Sequence, residues 1–295
     1  MNDRIVSPKV SILTSVRDQI ALTKKCISCL EQTIEGQVSY EVLIANDGSV
    51  DGTADYLDSL PSPFRVFHRE NTQGFAKNNN WLAREARGEY LLFLNNDAFV
   101  KGDWLSPMLR ILEEKEKVGF VGNVQKLYGT KRFDHMGVVF SPLGNPRHFG
   151  QGFFHHPFKG ESRIWSAVTA ACCMIRRELF LEQGGFDEEF INGCEDMDLC
   201  IRLNRAGYSH YVAHDSVIDH VKGATTGRKD RNEENFELLM KKWGDEIRKN
   251  ESVKDGFLHA RTYLFRPLFK PLGTNFLKFL DAILILTRIR KLSGI

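Results

Sequence analysis

The sequence predicts an α/β protein: a mainly parallel sheet flanked by helices, followed by a helical C-terminal extension. Two observations predict the sheet. Apolar, β-rich runs alternate with stretches of helical periodicity through residues 10–94, the pattern of repeated strand–helix–strand units. Three of those runs end in polar residues, at Arg17, at Asn46-Asp47 and at Asn95-Asn96-Asp97, and ligands of such sheets bind beyond the carboxyl ends of strands. A third observation predicts the extension. Residues 255–295 hold seven Lys/Arg and two acids, a net of +5, which leaves −3 for the rest of a chain whose total is +2.

Each element has a local reason. Residues 10–16 read as the first strand, and 18–31 as an amphipathic helix. Residues 40–45 form a β run that the turn Asn46-Asp47-Gly48-Ser49 closes, and Asp51 can cap the next helix, through 60. A short strand spans 64–68, a helix 74–87, and a wholly apolar strand 90–94. Residues 129–160, rich in Gly, Pro, His and Phe and without clean periodicity, read as an excursion over the site. A plain surface loop is the alternative. Residues 163–175 return as one apolar strand, 196–206 as a helix stopped by Gly207, and 232–248 as another helix. The expected units are a catalytic domain over 1–250 and a basic, amphipathic helical extension over 251–295.

The composition excludes several classes. A net charge of +2 on 295 residues gives no bulk signal for nucleic acid. No segment approaches the ~20 apolar residues of a membrane span, and no leader is visible at the start. Cys26 and Cys29 form a CxxC with no second pair at zinc-ribbon spacing, so buried thiols are expected. Cys172 and Cys173 are adjacent in a strand and should face opposite sides of the sheet. A reducing cytoplasm, at the inner face of the cell membrane, fits this usage.

The acidic residues carry the chemical signal. Asp97 directly follows a buried strand, Glu195, Asp196 and Asp198 cluster at a helix start, and His220 comes later. Together they suit a diphosphate–metal site with a general base. Each has a structural alternative. An Asp after a strand is an ordinary turn residue, and acids at a helix N-terminus complement its dipole. Lys77 and Asn79 open a helix and could meet diphosphate or ribose, or simply face solvent. Trp165 is either core or a platform for an acceptor sugar. Asp198 either supports its loop or binds acceptor hydroxyls. Apolar residues at 276, 277, 280, 283, 284 and 286, with Lys278, Arg288, Arg290 and Lys291, suit core packing, a homo-oligomer contact or attachment to an anionic membrane.

Six segments in order resemble glycosyltransferase family 2, the inverting nucleotide-sugar transferases of the Rossmann-like GT-A fold. They are VSILTSVRDQ, YEVLIANDGSVDGT, ENTQGFAKNNNWLAREARGEYLLFLNNDAFV, VTAACCMIRRELF, GGFDEEF and EDMDLCIRL, with AGY and His220 after them. The NND form resembles members that transfer rhamnose or galactofuranose. The resemblance implies a divalent cation, Mn²⁺ or Mg²⁺, bound through the donor diphosphate by Asp97. Asn95 stands where the family's metal motif has its first acid. It implies Asp196 as the catalytic base, with Glu195 beside it, and His220 as the residue that closes over metal or diphosphate. Lys222, Gly223, Thr225, Thr226 and Gly227 resemble a phosphate-embracing loop. Ser15, Arg17, Asn46, Asp47 and Asn96 fall where donor-nucleotide contacts are expected. Asn46 replaces an acid, Arg17 an aromatic, and Ala170 a glycine.

The expected activity is metal-dependent, inverting transfer from a nucleoside diphosphate sugar to a glycan or lipid-linked glycan, in surface polysaccharide synthesis. Two rivals share the fold. A sugar-phosphate nucleotidyltransferase would want a glycine- and arginine-rich loop after the first strand, which SVRDQ lacks. An inactive nucleotide- or glycan-binding protein would lose the base, and the Glu195-Asp196 pair is intact.

Overall fold

A computed structural model describes residues 7–34, 36–142, 144–223, 231–269 and 275–289. Four strands, β1 (Val10–Val16), β2 (Tyr40–Asn46), β3 (Phe64–His68) and β4 (Tyr90–Leu94), lie parallel in the order β3-β2-β1-β4. Helices α1 (Ile20–Ile34), α2 (Thr53–Asp58) and α3 (Phe75–Glu85) connect them. Strand residues alternate between two cores. Val10, Ile12, Tyr90, Leu92 and Leu94 pack on one face, and Leu13, Leu91 and Phe93 on the other. Both faces of β4 being covered explains why that run is apolar throughout rather than alternating.

Beyond β4 the sheet is mixed, not simply parallel. β5 (Ala98–Phe99) and α4 (Ser106–Glu114) precede the long β6 (Val118–Leu127), and β7 (Phe133–His135) pairs with β6. β8 (Val138–Phe140) and β9 (Pro146–His148) make a separate two-stranded ribbon. Next come β10 (Ser162–Trp165), β11 (Cys172–Arg176), α5 (Arg177–Glu182), α6 (Glu195–Arg205) and β12 (Ser209–His220). β11 runs antiparallel to both β4 and β6, while β12 runs parallel to β6 and antiparallel to β10. The single strand expected over 163–175 is therefore two strands, β10 and β11, kept apart by β12 and β6. Residues 166–171 cross from one strand to the other, with an isolated bridge between Ala167 and Val138. Ser166 O accepts from Asn204, Ala167 O from Val138 N, and Ala171 O from Asn95 N. Cys172 and Cys173 do face opposite cores.

Helix α7 (Asn232–Glu246), a π-turn (Ile247–Glu251) and α8 (Ser252–Phe269) form one continuous helical run. The expected boundary at 250 falls inside it. α8 is anchored to the sheet domain by the buried Asp255, which accepts from Phe140 N at 2.7 Å and Ser166 Oγ at 2.9 Å. α9 (Phe276–Leu286) packs back on α8 through Ala260, Tyr263, Ala282 and Ile285. Among the described residues no helix is long and apolar enough to cross a membrane.

Candidate active site

A cavity of about 290 Å³ opens at the carboxyl ends of β1, β2 and β4. Ser15 and Arg17 reach it from the end of β1. Past Arg17 the chain turns through Asp18 and Gln19, both in the left-handed region (φ 53° and 61°). Side chains there cost energy unless the surroundings hold them. Asp18 is so held: its N–H donates to Ser49 Oγ and its carboxylate accepts from Val50 N at 2.7 Å. At the end of β2, Asp47 lines the cavity, and its carboxylate accepts from Gln73 N (2.6 Å) and Gly74 N (3.1 Å). It thereby ties the loop entering α3 to the rim.

Asn95, Asn96 and Asp97 line the cavity from the end of β4. Backbone bonds fix this turn: Asn95 N donates to Ala171 O, and Val221 N donates to Asp97 O. The β5–β12 pairing sets Ala98 opposite His220. As a result Asp97 Oδ1 and His220 Nε2 stand 3.2 Å apart, both side chains buried, and neither atom makes a hydrogen bond within the protein. Two buried, unpartnered ligand atoms at that spacing fit a small divalent cation. Ligands ~2.1 Å from an octahedral ion and at right angles to each other lie about 3 Å apart. Among the described residues no group of three His, Cys, Asp or Glu could hold a metal. A cation here would complete its shell with neutral oxygens, phosphate and water, as hard cations at phosphate sites do.

The opposite wall is the start of α6. Asn192 and Cys194 adopt left-handed φ values of 56° and 71°, turning the chain sharply into the helix. Glu195 Oε2 accepts from Gly193 N at 2.6 Å, bracing that turn. Asp196 accepts from Met197 N at 2.9 Å on one oxygen and from Ala170 N at 3.0 Å on the other. Both oxygens face fixed donors, and each keeps lone-pair capacity for a further proton. Burial, with the nearby Asp196 and Glu195 charges, pushes the Cys194 thiol up to about 12, which leaves it no thiolate for nucleophilic work.

Several expected site residues lie elsewhere. Asn46 is buried behind the rim, where its amide meets His68 Nδ1 at 3.0 Å and accepts from Ser49 N. Lys77 is exposed and outside the cavity lining. Asn79 is buried, donating to Phe75 O within its own helix; the neighbouring Asn78 is the one that reaches Ser15 Oγ. Trp165 is 2% exposed against Phe149 and Phe158, a core residue rather than a sugar platform. Asp198 points away from the cavity and accepts from Trp243 Nε1 and Arg202 Nε, joining α6 to α7. Lys222 and Gly223 are described, but 225–227, the rest of the expected phosphate loop, lie outside the described residues.

Thr72, Phe75, Thr169, Asn192 and Arg231 also line the cavity. Of these, only Asn192 had a readable signal, the Asn-Gly turn just before the acidic pair.

The sequence profile of glycosyl transferase family 2 matches residues 11–184. The chain belongs to that family. Over 229 residues it is 35% identical to the O-antigen biosynthesis protein RfbC of Myxococcus xanthus, covering 74% of this chain and 18% of that protein. It is 29% identical over 158 residues to the rhamnosyltransferase WbbL of Escherichia coli, covering 47% of this chain and 58% of that one. The chain thus spans about a fifth of RfbC and somewhat over half of WbbL. The crystal structure of GalNAc-T7 with UDP, GalNAc and Mn²⁺ shares the fold at a TM-score of 0.65 and 14% identity, covering 95% of this chain and 55% of that one. This is the GT-A architecture that the family resemblance implied, with a mixed sheet and a helical C-terminal region.

Proposed function

We propose that the protein transfers a sugar, with inversion and with the aid of a divalent cation, from a nucleoside diphosphate sugar to a hydroxyl of a glycan or lipid-linked glycan. One observation carries this reading: a single cavity beyond the carboxyl strand ends is lined by Asp47, Asp97 and Asp196. The acceptor hydroxyl gives its proton to Asp196 as its oxygen bonds to the anomeric carbon. The bond from that carbon to the diphosphate breaks on the opposite face, and the pair leaves with the diphosphate. The N–H groups of Ala170 and Met197 hold the Asp196 carboxylate in position for this. Asp97 and His220, with the neutral oxygen of Asn95, would hold Mn²⁺ or Mg²⁺, which supplies charge neutralisation for the departing diphosphate. Ser15, Arg17, Asp47 and Asn96 take the nucleotide side.

The relatives support a surface polysaccharide acceptor, one named for O-antigen biosynthesis and one for rhamnosyl transfer. A cytoplasmic protein at the inner membrane face fits that role. The deciding experiment incubates the protein with a panel of nucleoside diphosphate sugars and Mn²⁺ or Mg²⁺. Release of nucleoside diphosphate from one donor is expected, abolished by chelator and cut at least ~10-fold by Asp97→Ala, the low end of what losing even an outer metal partner costs. Pyrophosphate exchange instead of diphosphate release would indicate a nucleotidyltransferase. Tight nucleotide binding with no release from any donor would indicate a binding protein.

A further inference from the structure

Asp196 stands in the first turn of α6, so its place depends on the path of residues 186–194 before it. That stretch belongs to no helix or strand. Its last turn needs left-handed backbone at Asn192 and Cys194, conformations that residues other than glycine keep only when their surroundings fix them. Two helices do the fixing. Asn235 of α7, 4% exposed, sets its amide against the backbone of Ile191: Oδ1 accepts from Ile191 N at 3.1 Å, and Nδ2 donates to Ile191 O at 2.8 Å. A neighbouring antiparallel strand would exchange the same two bonds, and a carboxamide can imitate it because it carries donor and acceptor together. Asn80 of α3 makes the same pair with Phe186, both bonds at 2.8 Å. The stretch is thus held in the same way at its two ends.

The ends lead to different places. Phe186 packs in the core against Phe75, Phe93 and Phe180. Ile191 and Asn192 line the catalytic cavity with Asp196. Asn192 Oδ1 then accepts from Phe75 N at 3.1 Å, which joins the turn to the start of α3. Gly193 has a steric reason here, since a Cβ would sit 3.2 Å from Asn235 Nδ2. Further along α7, Lys242 pairs with Asp187 and, at 3.2 Å, with Glu189, so the same helix grips the stretch at three alternate residues. Asn235 itself is not part of the cavity lining. Whatever it does for the site, it does through the backbone it holds.

We infer that Asn235 is a positioning residue for the transfer step: its amide fixes Ile191, so that the turn over 192–194 delivers Asp196 to the N–H groups of Ala170 and Met197. The kinetic role rests on the proposed function. The hold on Ile191 does not.

Hydrogen exchange tests the hold, and kinetics test the role. In Asn235→Ala the Ile191 amide should exchange ~10-fold or more faster than in the parent chain, while amides of β1 and β4 keep their protection. With a donor that the parent turns over, kcat should fall ~10–10²-fold, the cost of a small misplacement at a reacting group. Nucleotide affinity, carried by Ser15, Arg17 and Asp47 on the other wall, should stay within about 2-fold. Referring kcat to the protein that binds nucleotide keeps lost stability from imitating lost turnover. Asn235→Asp gives a signature that a merely structural role would not. An ionised carboxylate cannot donate to Ile191 O, whereas a protonated one donates there and still accepts from Ile191 N. Burial raises a carboxyl, so the kcat of this variant relative to the parent should rise ~3-fold or more from about pH 8 to about pH 6, the titration of Asp196 cancelling in the ratio. Parent-like kcat in Asn235→Ala, a flat ratio in Asn235→Asp, unchanged exchange at Ile191, or nucleotide affinity falling in step with kcat would each overturn the inference. Faster exchange in Asn235→Ala beside a parent that releases diphosphate from no donor would leave the hold standing, sink the transferase reading and take the kinetic role with it.

Discussion

Both halves of the sheet bury polar side chains, but they satisfy them differently. Around β1–β4 the buried Glu41 accepts from Ser11 Oγ, Arg65 and Arg87 N, and Asp47 from two backbone N–H groups. Around β6–β12 several buried atoms make no hydrogen bond within the protein: both amide atoms of Gln125, both nitrogens of His135, Trp165 Nε1 and His214 Nε2. In the first half the atoms without a hydrogen bond are Arg69 Nε, Asn78 Oδ1, Asn79 Oδ1 and Asp97 Oδ1, and of these residues Asp97 lines the cavity. The contrast teaches that polar groups closed on each other hold a scaffold, while those left open mark where water or ligand completes the structure. Under the proposed transferase function, the first half would carry the nucleotide and the half beyond β4 would meet the acceptor.

The sharpest division of labour is expected at the border between them, where Asp196 is held by Ala170 of the crossing segment. Asp196→Asn should leave nucleotide affinity near normal and lower turnover ~10²–10⁴-fold, the contribution of a positioned base. Measuring kcat and nucleotide affinity on the same preparation separates the two effects. Near-normal transfer by this variant, with Glu195→Gln inactive instead, would move the role to Glu195.

A smaller effect should be confined to the second half. Gly137, at φ 130°, lies so close to Trp165 that a Cβ there would sit 2.1 Å from its ring. Gly137→Ala must displace a fully packed indole, and overpacking of this kind costs ~1–3 kcal/mol. Urea unfolding should show the loss, while the folded protein keeps its nucleotide affinity. Loss of nucleotide binding in step with stability would mean that the two halves are one cooperative unit and that the contrast carries no functional meaning.

The buried histidines of the second half should also make stability depend on pH. His210 is fixed as a neutral ring: Nδ1 accepts from Phe120 N, and Nε2 lies 2.9 Å from the Cys200 carbonyl. Burial pushes it down to about 4. Burial, with His156 and Arg163 nearby, pushes His214 down to about 3. Both folded values lie below the unfolded one, so the unfolded chain takes up protons first as pH falls. Their stabilisation is complete above about pH 6.5 and is lost as pH drops towards 4 and 3, by about 1.4 kcal/mol per unit for each ring. Urea midpoints should be flat from pH 8 to 7 and fall steadily from 6 to 5. A flat profile down to pH 5 would mean that these rings are hydrated in the folded state.

The two halves were also unequally legible. β1, β3 and β4 begin and end where the sequence places them, and β1 and β4 are mostly buried runs that period alone makes readable. Asp97 follows the end of β4 and Asp196 lies in the first turn of α6, positions that the element boundaries made readable. The split of 163–175 was not, because its two pieces pair with strands remote in sequence, β10 with β12 and β11 with β4 and β6. Trp165 and Asp198 each kept two readings in the sequence, because only packing shows which way a tryptophan or a helix acid turns. Asp255 is the clearest case. Its partners Phe140 and Ser166 are 115 and 89 residues away, and the domain boundary expected from sequence falls just before it.

That anchoring changes the test of the C-terminal region. Removing residues from 255 onward would take away the Asp255 contacts as well as any membrane-facing surface. Removing 275–295 takes only α9 and the chain beyond it. One face of α9 packs on α8, while Phe276, Leu277 and Leu280 remain 73%, 73% and 43% exposed. Lys278, Arg288, Arg290 and Lys291 lie within the same segment, against the single acid Asp281. An apolar face flanked by cations suits an anionic bilayer, where each basic residue near the surface is worth about 1 kcal/mol. The 295-residue chain should co-sediment with vesicles containing phosphatidylserine, and less so as salt rises and the screening length shrinks. The shortened chain should stay folded, bind nucleotide normally and leave the vesicles. The expected loss is larger for transfer to a vesicle-borne acceptor than to a soluble analogue. If the full chain ignores the vesicles and the truncation instead dissociates an oligomer, α9 covers a second copy of this chain and the membrane reading is wrong.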